Sequence, residues 1–148
     1  MKIAVGADER LHIVDVMLDL LEQEGHEVIW HGPQPGATMP WPKVARAVAE
    51  EVASGRAANG SLFCWTGTGV SIAANKVPGV RAALCDDAET ARGAKLWNNA
   101  NVLCLSMRRT SEVIAQEILH TWFNTAYRPN PTDDECLAML NDLDGGRS

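Results

Sequence analysis

The chain has 148 residues and a formal charge of −6, with 46% hydrophobic and 22% charged residues. That length suits one domain whose core is large enough to fold without disulfides. The basic residues are scattered, Arg108-Arg109 being the only adjacent pair, so no cationic stripe exists to neutralise a nucleic-acid backbone. No window is apolar enough to span a bilayer, and Met1 leads into a strand pattern without a signal peptide. Cys64, Cys85, Cys104 and Cys136 lack CxxC spacing and a neighbouring histidine cluster, which argues against structural zinc and for a reduced, cytoplasmic protein. Cys85 and Cys104 lie inside apolar runs and read as small buried hydrophobes.

In chain order, Lys2 to Gly6 reads as a short apolar strand ending at Gly6-Ala7-Asp8. Ile13, Val14, Met17, Leu18 and Leu21 repeat at helical spacing, and Gly25 stops that helix. His26 to Trp30 resumes a strand, and Gly32-Pro33-Gln34-Pro35-Gly36 is loop. A second helix starts near Pro42, a residue tolerated in a first turn, and runs through Val44, Val48 and Val52 to Gly55. Ser61-Leu62-Phe63 then leads into Cys64, and small residues carry a buried helix to about Val77-Pro78-Gly79. Strands over 80–85 and 101–105 flank a helix from Ala88 to Leu96, and Ser111 is the expected N-cap of a long helix bearing Val113, Ile114, Ile118, Trp122 and Phe123. Short apolar strands alternating five times with helices predict a three-layer α/β/α Rossmann-like fold with a five-stranded parallel sheet. That domain is expected over 1–127. Over 128–148, Arg128-Pro129-Asn130-Pro131 forms a stiff linker to a helix from Asp133 to Leu143 with Leu137, Leu140 and Leu143 on one face. A helix hung on such a linker is expected to pack on a second copy of the chain. His12, His26, His31 and His120 have no paired carboxylate nearby in sequence and read as surface or helix-face residues.

The chemistry concentrates in Cys64-Trp65-Thr66-Gly67-Thr68-Gly69-Val70-Ser71. A strand that turns through glycine into a helix aims several backbone N–H groups at one point, with the helix dipole behind them. A thiol and a hydroxyl at that mouth join a potential base or nucleophile to donors for an oxyanion. The same residues also suit a tight strand-to-helix turn with a buried cysteine, and composition leaves both readings open. Because ligands of open α/β sheets bind at the carboxyl ends of strands, Asp8, Glu9, Cys64 to Gly69, Asp86, Asn98 and Arg108 are expected near one edge.

With these residues in view, the chain resembles the family of ribose-5-phosphate isomerase B and the galactose-6-phosphate isomerase subunits. The resemblance runs from about Met1 to Trp122. It rests on Gly6-Ala7-Asp8, on Cys64-x-Thr66-Gly67-x-Gly69-x-Ser71-Ile72-Ala73-Ala74-Asn75-Lys76, on Gly79-Val80-Arg81-Ala82-Ala83-Leu84, and on Asn98-Asn99-Ala100-Asn101-Val102-Leu103. The resemblance implies a metal-free, cofactor-free aldose–ketose isomerase whose active sites are built across a homodimer, or a tetramer of the same chain. It implies Cys64 as the base that moves a proton between C1 and C2 through an enediol, Thr66 as the hydroxyl beside it, and the amides of Gly67, Gly69, Val70 and Ser71 as the anion hole. Asp8 would bind sugar hydroxyls, Asn98 would be a substrate-binding amide, and Arg108 would reach the phosphate. A thiol serves as base once ionised, and a helix N-terminus favours the thiolate.

The departures bear on the substrate. Glu9 and Trp97 stand where the family usually has histidine, the latter assigned to opening the sugar ring. Pro131 and Glu135 stand at two tail arginines, Pro40-Trp41-Pro42 replaces Asp-Tyr-Pro, and Trp65 replaces a glycine. Glu9, Trp41 and Trp97 are accordingly expected at the substrate, the tryptophans being equally suited to core or interface. A tetrose 4-phosphate, whose terminal hydroxyl is esterified, cannot form a five- or six-membered ring and needs no ring-opening acid. Two expectations follow: an isomerase for a small sugar phosphate, such as a tetrose or tetrulose phosphate, or a non-catalytic sugar-binding homologue. A nucleotide-binding flavodoxin-like module shares the fold class, but neither GxGxxG nor GxxxxGK(S/T) occurs.

Overall fold

The computed structural model describes residues 1–145, leaving the last three residues of the tail outside the described region. Five strands, β1 (Lys2–Ala7), β2 (Glu27–Trp30), β3 (Asn59–Cys64), β4 (Ala82–Leu84) and β5 (Val102–Ser106), alternate with α1 (His12–Gln23), α2 (Trp41–Ala53), α3 (Thr68–Ala74), α4 (Ala88–Leu96) and α5 (Glu112–Asn124), and α6 (Pro131–Gly145) follows. The sheet order is β2-β1-β3-β5-β4 and every pairing is parallel, the Rossmann-like α/β arrangement expected from the alternation.

Alternate residues of each strand face opposite layers. Ile3, Val5, Ala7, Phe63, Leu103 and Leu105 pack with α1, α4 and α5, including Met17, Leu21, Ile118, Leu119 and Trp122. Ala4, Leu62, Cys64, Val102 and Cys104 pack with α2 and α3 through Val44, Val48, Val70 and Ala74. Both faces are thus buried, which is why the strands read as apolar runs rather than alternating ones. Gly6 and Gly60 admit this close helix packing: a Cβ on either would lie 2.5 Å from Val44 Cγ1 or 2.7 Å from Val48 Cγ1. Gly25 and Gly55, with φ of +86° and +78°, end α1 and α2. The Ser111 hydroxyl accepts from the Ile114 N–H at the start of α5.

Several expectations change. Helix α3 stops at Ala74 rather than near Val77, and it is not a wholly buried helix: Val70 and Ala74 face the core while Ile72 is 60% exposed. The strand expected over 80–85 forms only at Ala82–Leu84. Val113 points outward from α5 at 64% exposure. Helix α6 begins at Pro131 itself, where Asn130 Oδ1 accepts from the Asp133 N–H, and it buries no residue within the chain. Its inward ties are polar, chiefly the Gly79 N–H donating to Asp144 Oδ2 at 2.8 Å. Three of the four histidines do meet carboxylates: His12 with Glu112 at 2.6 Å and His31 with Glu51 at 3.5 Å across the fold, and His26 with its near neighbour Glu24 at 3.8 Å. Among the described residues no helix is long and apolar enough to cross a membrane.

Candidate active site

The chain leaves β1 for β2 on one side and returns to β3 on the other, so the topological switch point lies between the carboxyl ends of β1 and β3. Asp8 and Glu9 continue β1 there, and Cys64 closes β3. Cys64 is 5% exposed, its side chain among the residues packed under α2 and α3. After it the chain passes exposed Trp65 and Thr66 and enters α3 through Gly67 in the left-handed conformation. A Cβ on Gly67 would meet Leu84 Cδ1 at 2.5 Å and the Leu105 carbonyl carbon at 2.9 Å, so the turn rests directly on the end of β5.

That contact is reinforced by a hydrogen-bonded seam. The Met107 N–H donates to Cys64 O at 3.0 Å and the Arg108 N–H to Trp65 O at 3.1 Å. Ser106, which pairs with Cys64 across the sheet and is 5% exposed, donates its hydroxyl to Trp65 O at 3.0 Å and accepts from the Arg109 N–H at 3.3 Å. A buried hydroxyl satisfied on both sides fixes the register of the loop after β5 against the loop after β3. The consequence is a cavity of about 380 Å³ lined by Thr66, Thr68, Leu84, Cys85, Asp86, Ser106, Arg108 and Arg109. Thr66 and Thr68 share a hydrogen bond of 2.7 Å between their hydroxyls.

Asp8 is half-buried, and its Oδ1 is enclosed without a hydrogen-bond donor from the described residues. Burial, then the neighbouring Glu9 charge, raises its pKa, partly opposed by backbone N–H donors. A carboxyl with a raised native pKa destabilises the fold when ionised, at pH above that value, and the penalty is relieved as pH falls through it. Asp8→Asn is therefore expected to raise the melting temperature at pH 7, with the gain shrinking as the pH is lowered; melting curves from pH 4 to 8 check this. The Asp8 carbonyl accepts from the Met39 N–H at 2.9 Å and Glu9 bridges Thr38. These ties bring the start of α2 to the switch point and lay the Trp41 ring on Gly69, 3.1 Å from where a Cβ would be.

Not every expected residue joins this edge. Helix α4 carries the chain back toward the amino ends of the strands, so Asn98, between α4 and β5, departs from the carboxyl-end grouping. Trp97 and Asn98 instead line a neighbouring cavity of about 610 Å³ with Ala83, Leu84, Glu89, Thr90, Gly93 and Ala94. The Trp97 ring lies against Gly93, where a Cβ would approach it to 2.8 Å, with the Arg92 guanidinium 5.4 Å from its centroid. Ser71 faces a third groove with Ile72, Asn75 and Lys76, and the Val70 side chain is fully buried, so only its backbone can meet a ligand. Ser106 and Arg109 were given no role from the sequence, and Thr68 entered only within the stretch from Cys64 to Gly69. The carboxyl-end rule reaches Ser106 once β5 is seen to extend to it, and Arg109 was visible only as the second member of a basic pair. Among the other thiols, burial pushes Cys85 up to about 12 and Cys104 higher still, so both are inert at neutral pH. Among the described residues no cluster of three or more metal-ligating side chains occurs.

Residues 3–139 match the Ribose/Galactose Isomerase family. The chain is 37% identical over 147 residues to galactose-6-phosphate isomerase subunit LacB of Clostridium acetobutylicum, covering 97% of this chain and 83% of that protein. It is 36% identical over 129 residues to D-erythrulose-4-phosphate isomerase of Pectobacterium atrosepticum, covering 86% and 85%. Ribose-5-phosphate isomerase B of Clostridium thermocellum superposes with a TM-score of 0.95 at 34% identity, over the whole of both chains. The chain therefore belongs to the ribose/galactose isomerase family of sugar-phosphate isomerases.

Proposed function

We propose that the protein is an aldose–ketose isomerase for a small sugar phosphate, with Cys64 as the base that carries a proton between C1 and C2. The observation that carries this reading is the retained turn from Cys64 to Gly69 at the switch point, stitched to the loop that presents Arg108. In the forward direction Cys64 thiolate removes the C2 proton of the aldose, and electron density shifts onto the carbonyl oxygen. Thr66 and the amides from Gly67 to Ser71 donate to the resulting enediolate. Return of the proton to C1, with the matching transfer between O1 and O2, completes the ketose. Asp8, at the switch point beside Glu9, holds sugar hydroxyls, Asn98 donates to the substrate, and Arg108 neutralises the phosphate. Glu9, Trp41 and Trp97 shape the remaining wall.

The substrate we infer is a tetrose or tetrulose 4-phosphate. Trp97 occupies the position of a ring-opening histidine and, its indole N–H being far too weakly acidic for general-acid catalysis, suits an open-chain substrate. The similarity to D-erythrulose-4-phosphate isomerase points the same way. A site that uses both Cys64 and Asn98 needs two copies of the chain, because α4 takes Asn98 away from the Cys64 edge. The apolar residues Met139, Leu140 and Leu143 on α6, exposed by 38 to 66%, suit packing on that second copy.

A screen in deuterium oxide tests the reading. Aldose and ketose phosphates of four to six carbons, with free sugars as controls, are incubated with the protein and followed for solvent deuterium at C1 and C2. Exchange fastest with a four-carbon phosphate is the expected result. Binding of these ligands with no deuterium in any of them would make the chain a non-catalytic sugar-binding homologue.

A further inference from the structure

Arg108 and Arg109 both line the cavity of about 380 Å³, together with the hydroxyls of Thr66 and Thr68. In an extended strand two consecutive side chains point to opposite faces. Here they leave the strand in a turn, and Ser106 holds that turn by accepting from the Arg109 N–H while donating to Trp65 O. The ordinary reading of Arg109 is a surface ion pair with Asp86. That pair is poor: Nη2 and Oδ2 are 4.0 Å apart, with the side chains 71% and 56% exposed. Such contacts hold a guanidinium weakly. The cavity's ionisable lining is then two guanidinium groups against one carboxylate, an excess of positive charge beside paired hydroxyls in a chain of net charge −6.

We propose that Arg109 is the second cation of a phosphate site formed with Arg108 and Thr68, so that one chain supplies both arginines from the same turn. Asp86 acts as a placeholder, holding Arg109 when the site is empty and losing it to the incoming dianion. Planar forks suit this exchange because each can offer two parallel N–H donors to phosphate oxygens. Arg109 thereby adds one cation to Arg108 in a chain whose tail carries Pro131 and Glu135 where two arginines are expected. That the anion is a substrate's phosphate rests on the isomerase reading; the anion site itself does not.

Calorimetric titration with inorganic phosphate tests it on the wild type, R109Q, R109K and D86N, each checked by its melting curve. R109Q is expected to weaken phosphate binding about ten- to a hundred-fold, the range for one lost charge-assisted hydrogen-bonded pair. R109K is expected to recover part of the loss, and D86N to bind more tightly than the wild type. In R109Q, KM for the preferred sugar phosphate should rise by the same factor with kcat less affected. Equal phosphate affinity in R109Q and the wild type overturns the proposal, as does a D86N variant that binds no tighter. Phosphate binding that depends on Arg109 without deuterium exchange in any sugar phosphate would instead overturn the isomerase reading and leave the anion site standing.

Discussion

Cys64→Ala is expected to abolish exchange of the substrate's C1 and C2 hydrogens with solvent, with isomerisation falling by about three orders of magnitude or more. A positioned general base contributes roughly 10²- to 10⁴-fold, and the proposed route assigns the C1/C2 proton to Cys64. The geometry makes the test clean. Cys64 sits at the end of β3 with its carbonyl held by the Met107 N–H, so the seam between the two loops does not depend on the thiol. Removing one sulfur atom from a packed position costs roughly 1 kcal/mol, too little to unfold a domain of this size. Cys64→Ser controls for volume while supplying a far weaker base. Deuterium incorporation and turnover, measured together with the melting curve, separate chemistry from folding, and exchange at the wild-type rate in Cys64→Ala would refute Cys64 as the base.

The second large effect concerns Gly67, whose φ of +76° lies in the region that side chains avoid. A β-carbon there carries a backbone penalty of roughly 1–2 kcal/mol before any contact is counted. It would also lie 2.5 Å from Leu84 Cδ1 and 2.9 to 3.0 Å from the Leu105 carbonyl. The leucine side chain can move, but the strand backbone cannot do so without breaking its ladder. Gly67→Ala is expected to lose about 3 kcal/mol, lowering the melting temperature by about 6–12 °C for a chain of this length. It should also displace the amides that follow and reduce turnover further. Gly25→Ala is the control, since Gly25 shares a positive φ of +86° but nothing lies within 4 Å of its Cβ position. The difference between the two variants isolates the contact with β5; equal melting temperatures would mean that the turn is not seated there.

These two positions also show what a sequence can and cannot reveal. The parallel sheet was legible because burial on both faces leaves a local trace, apolar runs bounded by glycine, and Gly25 and Gly55 mark helix ends by a purely local backbone demand. Helix α4 matched residue for residue for the same reason, Asp87 capping it through the Thr90 N–H. The site was legible only in part. Cys64, Thr66 and Gly67 are contiguous and carry a motif, whereas Ser106 acts on Trp65 forty-one positions away, a relation that exists only once β3 and β5 are in register. Asn98 was misplaced because the carboxyl-end rule orders strands and says nothing of a residue that follows a helix. Helix α6 was legible from its leucine spacing and its proline linker, and within the chain it buries no residue.

The seating of Trp41 on Gly69 carries a consequence for how such a protein can diversify. A side chain at position 69 and an indole at position 41 compete for the same space, 3.1 Å apart, so the two sites are not free to vary independently. A Cβ at position 69 requires the partly exposed indole to shift by a few tenths of an ångström, and a smaller side chain at position 41 removes that demand. Changes in the turn and in the segment that covers it are thereby coupled.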